Sequence, residues 1–293
     1  EQQYKLTLIQ GVKGDQFYVT MQCGAQEAAK AAGATLDVTA PDEFDASLQT
    51  PVVNAVVAKK PDAILVAPTD TKAMIPPLTQ AKAAGIKLVF VDTTTENGAE
   101  LAESEIASDN EEGGREAARA LAELTGGKGS VLVINVKPGI STTDARAKGF
   151  EEEIKKTPGL KYIGQEYSND KPEIAASKAT AALAAHPDLV GIFGTNLFSA
   201  EGAATGLRSA GASKVKIVGF DAGPKQVEDL EQGVVQALIA QKPADIGKAG
   251  VEQAIAALKG EPTQKKIGTG FVVVTKENMN DPDVKPFLYK SSC

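Results

Sequence analysis

The chain has 293 residues, 42% of them hydrophobic and 24% charged, with a formal charge of −7 and a pI near 5.0. That is room for one large or two ordinary globular domains, and no apolar run approaches the ~20 residues that span a bilayer. An acidic chain without a Lys/Arg cluster is a poor partner for nucleic acid or an anionic membrane.

Strand and helix patterns alternate from the start. The first strand pattern begins by Tyr4 with no charged-then-apolar leader before it, as in a processed chain, which leaves secretion open. KLTLIQ (Lys5 to Gln10) reads as a strand, followed by a polar loop, GVKGDQFY (Gly11 to Tyr18), and a helix over Val19 to Ala32 closed by Gly33. Strands are expected at Thr35 to Thr39, Ala63 to Val66 and Lys87 to Asp92, and helices at Asp45 to Ala58 and Ala73 to Ala84. Short connections between strands and helices are the mark of a parallel sheet covered on both faces.

IASDNEEGG (Ile106 to Gly114) reads as a passage into a second lobe on the same plan, opening with a helix over Glu111 to Leu124. Its strands are expected at Ser130 to Asn135, Lys161 to Tyr167, Val190 to Gly194, Lys216 to Asp221 and Val234 to Gln241. Helices fall at Thr142 to Lys156, Glu173 to Ala185, Ser199 to Ala210 and Pro224 to Glu231. QKPADIG (Gln241 to Gly247) reads as a passage back, with a helix over Asp245 to Leu258, a last strand at Phe271 to Thr275 and an irregular tail. The lobes so divided are residues 1–108 plus 242–268 and residues 109–241 plus 269–293. The two are built alike. PDAILVAPTD, an Ala-rich helix, AAG and KLVFVDTT (ending at Asp92) run parallel to PDLVGIFGTN, an Ala-rich helix, SAG and KIVGFDAG (ending at Asp221).

The pattern points away from an enzyme. The one histidine, His186, sits at a helix end before Pro187, so neither a zinc site nor a His-based triad can be spelled. GGKGS (Gly126 to Ser130) lacks phosphate-loop spacing, and GVKGDQFY lacks the third glycine of a dinucleotide fingerprint. Neither a metal nor a cofactor is expected. Cys23 and Cys293 leave two readings open: unrelated thiols, or a disulfide tying the tail to the first helix in an oxidising compartment.

Chemistry gathers instead at the carboxyl ends of the strands, where open parallel sheets bind ligands. The first lobe offers Gln10, Asp92, Phe17 and Tyr18; the second offers Arg146, Asn196, Phe220 and Asp221; Gln241 stands at a crossing. Each alone could be a helix cap or a core residue. Together, carboxylates, amides and a guanidinium give planar hydrogen bonding and aromatic rings give apolar faces, which suits a sugar or polyol.

Over Lys5 to about Thr275 the sequence resembles the ribose-binding-protein family of bacterial ABC-transporter solute-binding proteins. The resemblance rests on DQFYVTMQCGAQEAA, LVAPTDTKAM, IASDNEEGG, STTDARAKGFEE, AHPDL, VGFDAGP and LIAQKPADIG. It implies the type I periplasmic binding protein fold: two Rossmann-like lobes with parallel β-sheets flanked by helices, joined by a three-segment hinge whose third crossing falls near Ile267 to Gly270. It also implies a monomer outside the cytoplasm, free in a periplasm or lipid-anchored, that closes over a sugar and delivers it to an ABC permease. The other occupations of this fold are the effector domain of a sugar-responsive transcription regulator, which needs a DNA-binding headpiece, and a chemosensory sugar receptor.

By the resemblance, Phe17 and Tyr18 are loop aromatics against the ring, Asp92 the first-lobe acid and Arg146 the second-lobe arginine. Asn196, Phe220, Asp221 and Gln241 are the amide, stacking aromatic, acid and hinge glutamine. In SNDKP (Ser168 to Pro172), where ribose binders carry an aromatic, Asn169 is taken as the site residue with Asp170 as its alternative. Ala67 replaces the family's asparagine and Thr93 its arginine after the first-lobe acid, which argues against ribose itself. Either the ligand lacks a hydroxyl there or groups such as Gln10, Lys13 or Lys137 meet it, the lysines also allowing an anionic sugar acid or simple solvation.

Overall fold

Runs such as AILV and KLVFV are apolar on successive residues, the pattern of strands covered on both faces. The computed structural model describes residues 3–293. In chain order it forms β1 (Lys5–Ile9), α1 (Gln16–Ala31), β2 (Thr35–Thr39), α2 (Ala46–Ala58), β3 (Ala63–Val66), α3 (Ile75–Ala83), β4 (Lys87–Val91), α4 (Gly98–Leu101) and β5 (Ser104–Ser108). There follow α5 (Asn110–Leu124), β6 (Gly129–Asn135), α6 (Ser141–Ile154), β7 (Leu160–Tyr167), α7 (Pro172–Ala185), β8 (Leu189–Gly194), α8 (Leu197–Ser209), β9 (Lys216–Phe220), α9 (Pro224–Glu231) and β10 (Ala237–Ala240). The chain then adds α10 (Pro243–Leu258), β11 (Lys266–Thr269) and β12 (Val272–Val274).

Two six-stranded sheets result, ordered β11-β5-β4-β3-β1-β2 and β12-β10-β9-β8-β6-β7. All pairs are parallel except β12 with β10, because β12 arrives directly from β11 of the other sheet with no crossover helix. The chain passes between the sheets after β5, after β10, and at Gly270–Phe271 between β11 and β12. β11 escaped the sequence reading: KIGT is an edge strand with alternate residues exposed, so it carries no apolar run.

The internal repeat is structural. The β3–α3–β4 and β8–α8–β9 units hold equivalent places in the two sheets. Asp92 and Asp221 follow their strands with φ of 70° and 82°, a left-handed conformation few non-glycine residues adopt but aspartate tolerates. Each donates its backbone N–H at 2.8 Å to the neighbouring strand, Asp92 to Ile106 and Asp221 to Ile239. That turn aims both carboxylates into the space between the sheets.

Two local differences from the sequence reading bear on the site. Asp15 caps α1, accepting from the Phe17 N–H at 2.9 Å, so the helix starts at Gln16 and Phe17 and Tyr18 are helical rather than loop residues. The tail, expected with the second lobe, is bonded to both lobes. Tyr289 N–H donates to Ala222 O at 3.0 Å, Lys290 N–H donates to Thr20 Oγ1 at 2.8 Å, and Cys293 is disulfide-bonded to Cys23 on α1. Of the two readings of the cysteines, the disulfide is the one found.

Where the lobes meet, Thr71 N–H donates to Gly139 O at 2.9 Å and Thr94 N–H to Ser141 Oγ at 3.0 Å. Lys137–Asp45 and Lys171–Glu43 ion pairs cross the rim at 3.5 and 3.3 Å. Helix α6 lies so close to α5 that a Cβ on Gly114 would stand 2.0 Å from the Arg146 carbonyl oxygen.

Candidate ligand-binding site

Between the tips of both sheets lies a cavity of about 380 Å³ of atom-free space, part of it open to solvent. Asp15, Phe17, Tyr18, Phe44 and Asp92 line it from the first lobe. Val136, Ile140, Thr142, Thr143, Arg146, Asp170, Asn196 and Asp221 line it from the second, with Gln241 at a crossing.

Arg146 is the cavity's buried cation. Its guanidinium donates from Nε to Asn110 Oδ1 at 2.9 Å and from Nη1 to Thr195 O at 3.0 Å, and lies 3.9 Å over the ring of Phe220. Stacking and two hydrogen bonds lock the fork before any ligand arrives. Phe220 is therefore not a ligand-facing aromatic, as expected from the sequence, but the buried seat of the arginine.

Asp92 accepts from the Tyr18 hydroxyl at 2.5 Å. Burial pushes the Asp92 carboxyl up to about 6, against the opposing pull of Arg146 and of the Tyr18 hydrogen bond. The same contact, with burial first, raises the Tyr18 phenol well above its usual value. The Tyr18 hydroxyl spends its one proton on Asp92, next to Thr93, so it braces the acid. None of the expected substitutes, Gln10, Lys13 or Lys137, lines the cavity.

Asp221 accepts from Gln241 Nε2 at 2.7 Å and the Tyr289 hydroxyl at 2.8 Å on Oδ1, and from Leu197 N–H at 2.9 Å on Oδ2. Tyr289 in turn accepts from Gln241 N–H at 2.9 Å. Asp221 is held by donors on three segments, one of them the disulfide-tied tail, so it orients the cavity wall with both oxygens already engaged.

Asp170 follows β7 with φ of 63° and accepts from Asn196 Nδ2 at 2.6 Å. Burial pushes its carboxyl up to about 7, Asn196 opposing, with Asp221 adding to the rise. Asn196 also caps α8, accepting from Ser199 N–H at 3.1 Å. Asp15 is raised well above the carboxylate range by burial, and further by the charges of Asp221 and Asp170.

Of the residues singled out from sequence, Phe17, Tyr18, Asp92, Arg146, Asn196, Asp221 and Gln241 meet at the cavity. Gln10 lies behind it, donating to Tyr18 O at 2.9 Å. Lys13 points to solvent and pairs with Asp42 at 3.1 Å, and Lys137 is engaged with Asp45. Asn169 is exposed, and its neighbour Asp170 lines the cavity in its place. The backbone at Ala67 is bound by Gln49, whose Nε2 donates to Ala67 O at 2.7 Å while its Oε1 accepts from Thr69.

Sequence reasoning missed Asp15, Phe44, Val136, Ile140, Thr142 and Thr143. For the threonines a signal existed: they precede Arg146 by four and three residues, which puts all three on one face of α6. For Asp15 the signal was an aspartate just before the helical pattern. Among the described residues no group of three or more His, Cys, Asp or Glu is placed to hold a metal, and no helix is long and apolar enough to cross a membrane.

Residues 7–262 match the family model described as periplasmic binding protein domain. The ribose import binding protein of Escherichia coli (strain K12) is 29% identical over 272 residues, which is 93% of this chain and 90% of that protein. An ABC transporter solute-binding protein from Agrobacterium vitis, solved with α-D-tagatopyranose bound, superposes with a TM-score of 0.96 at 45% identity, covering 98% of this chain and all of that one. A second from the same organism, solved with D-fucose, superposes with a TM-score of 0.91 at 31% identity, over 97% and 100% of the two chains.

Proposed function

This chain belongs to the periplasmic binding protein domain family, and from that premise we propose that it is the extracytoplasmic solute-binding protein of an ABC importer, a monomeric receptor rather than an enzyme. Its ligand is a monosaccharide or sugar alcohol, which it presents to the importer's membrane permease. The observation that carries this reading is one cavity lined by carboxylates from both lobes, a seated guanidinium and aromatic faces. Tyr18, Asp92 and Asp15 approach the ligand from one lobe, and Arg146, Asp170 and Asn196 from the other. Full hydrogen bonding is reached only when the lobes are shut, so the ligand's greater affinity for the closed form drives closure.

Loss of the asparagine and arginine that ribose binders carry favours a sugar other than ribose, and the 45% identical tagatose-bound structure places ketohexoses beside pentoses at the head of the trial set. The test is a thermal-shift screen of protein stripped of bound ligand by denaturation and refolding. Pentoses, ketohexoses, deoxysugars and sugar alcohols form the panel, and a ligand at 100 times its Kd stabilises by about 2.7 kcal/mol. A single clear shift is expected; a flat panel refutes the assignment.

A further inference from the structure

We infer that Tyr289, on the C-terminal tail, is a positioning residue for the sugar site: from behind the cavity wall it fixes Asp221 and Gln241 where they meet the ligand. The inference rests on the sugar-receptor reading above and extends the site to a segment outside both sheets.

The phenol has a single proton, and its neighbours decide where it goes. A backbone N–H can only donate, so the Tyr289 hydroxyl accepts from Gln241 N–H at 2.9 Å and gives its own proton to Asp221 Oδ1 at 2.8 Å. Burial first, and then the Asp221 charge, raise the phenol well above its ordinary value, which keeps that proton in place. Gln241 Nε2 donates to the same carboxylate oxygen at 2.7 Å, and Gln241 Oε1 accepts from the Ser108 hydroxyl at 2.7 Å. Ser108 ends β5 at the first crossing between the lobes, and Gln241 follows β10 at the second. A continuous hydrogen-bonded chain thus joins two crossings, the tail and Asp221, and Tyr289 enters it twice.

The turn at Asp221 needs such a brace. Its φ of 82° is a left-handed conformation that a non-glycine residue keeps only where its surroundings hold it. Tyr289 N–H donates to Ala222 O at 3.0 Å, so the tail grips both the carboxylate and the next carbonyl. The tyrosine ring, 5% exposed, packs 5.9 Å from Phe17, which lines the cavity, whereas Tyr289 does not. The first lobe is built to the same scheme, with Asp92 taking the Tyr18 hydroxyl from α1. In the second lobe the tail supplies the equivalent hydroxyl.

The anchoring of the tail is separate from this grip. Lys290 N–H on Thr20 Oγ1, Lys242 Nζ 5.0 Å over the Phe287 ring, and the Cys23–Cys293 disulfide hold the segment without touching Asp221. Stability lost through the anchor and affinity lost through the hydroxyl can therefore be told apart.

The test is calorimetric titration and thermal melting of wild type, Tyr289→Phe and the double variant Cys23→Ser with Cys293→Ser, each stripped of bound ligand. The probes are D-arabinose, D-tagatose, D-fucose and D-arabinitol, one from each class of the panel above, and the one that wild type binds most tightly is carried through. Tyr289→Phe keeps the ring against Phe17 and deletes one oxygen; it should bind that probe about tenfold more weakly, the scale of a lost hydrogen bond to a charged group. The cysteine variant should melt lower than wild type yet bind within about threefold of it. The Gln241 amide proton, whose acceptor is the phenol, should be protected from exchange by NMR in wild type with and without the probe.

Three results overturn the role of Tyr289 while leaving the receptor reading intact. One is Tyr289→Phe binding within about threefold of wild type. Another is affinity falling in step with melting temperature in both variants, as for a tyrosine that only stabilises the fold. The third, which needs no variant to fold, is free exchange of the Gln241 amide in wild type. If no probe binds stripped wild type, the receptor reading falls and Tyr289 has nothing to position.

Discussion

Replacing both cysteines, Cys23→Ser with Cys293→Ser, removes a link that closes a loop of 270 residues between the first helix and the end of the chain. Chain-entropy arithmetic for a loop of that length gives an upper bound of about 5–6 kcal/mol at 25 °C. Denatured chains keep residual structure, so the expected loss is the more usual ~2–4 kcal/mol. The native contacts of the tail survive the change, because Tyr289 and Lys290 hold Asp221, Ala222 and Thr20 through hydrogen bonds of their own. The loss should therefore come mainly from a freer unfolded state. The chain has no tryptophan, so guanidinium unfolding is best followed by far-UV circular dichroism. The midpoint should fall in the double variant, and wild type treated with reductant should fall by the same amount. An unchanged midpoint in both would refute the loop-closure reasoning. A loss well beyond ~6 kcal/mol would refute it from the other side, showing that the link holds the native lobes together directly.

Arg146→Met should cost about 2–4 kcal/mol of sugar affinity by calorimetry, because it removes a charge-assisted donor and strands Asn110 Oδ1 and Thr195 O, and Arg146→Lys should not restore it. Gly114→Ala places a Cβ 2.0 Å from the Arg146 carbonyl oxygen, so it should destabilise the fold by about 1–3 kcal/mol in chemical denaturation and weaken binding as α6 shifts. Asp92, Asp170 and Glu201 are raised to about 6, 7 and 7, so the stability they contribute is full below the ordinary carboxylate range and is lost as pH rises through those values. The ligand-free melting temperature should fall from pH 5 to pH 8. Sugar hydroxyls favour the ionised Asp92 and Asp170, so binding near pH 6–7 should release protons, detected as a buffer-dependent heat; a melting temperature flat across that range would contradict the assignment.

Of the seven candidate-site residues legible in the sequence, all but Arg146, which lies inside α6, end a strand or open a helix, so a local pattern a dozen residues long announces them. Asp92 and Asp221 could be paired without coordinates because the segments leading to them repeat. Asn169 and Asp170 could not be told apart, since which of two adjacent loop residues turns inward depends on backbone angles set by the surrounding packing. Phe220 was named for stacking on a ligand, yet the ring supports Arg146 from a helix more than 70 positions earlier in the chain. The lysines proposed to replace lost donors were drawn away by acids of the opposite rim or the surface.

What the sequence determined alone was the alternation of strands and helices, the twofold plan, and the strand ends where ligand chemistry collects. Hydrophobic periodicity and capping are settled within each segment, so those features need no partner. The tertiary structure alone decided that Tyr18 braces Asp92, that the tail returns to brace Asp221, and that Asp15 and Asp170 share one cavity. These relations join residues far apart in the chain, and they exist only once the sheets and the two lobes have packed.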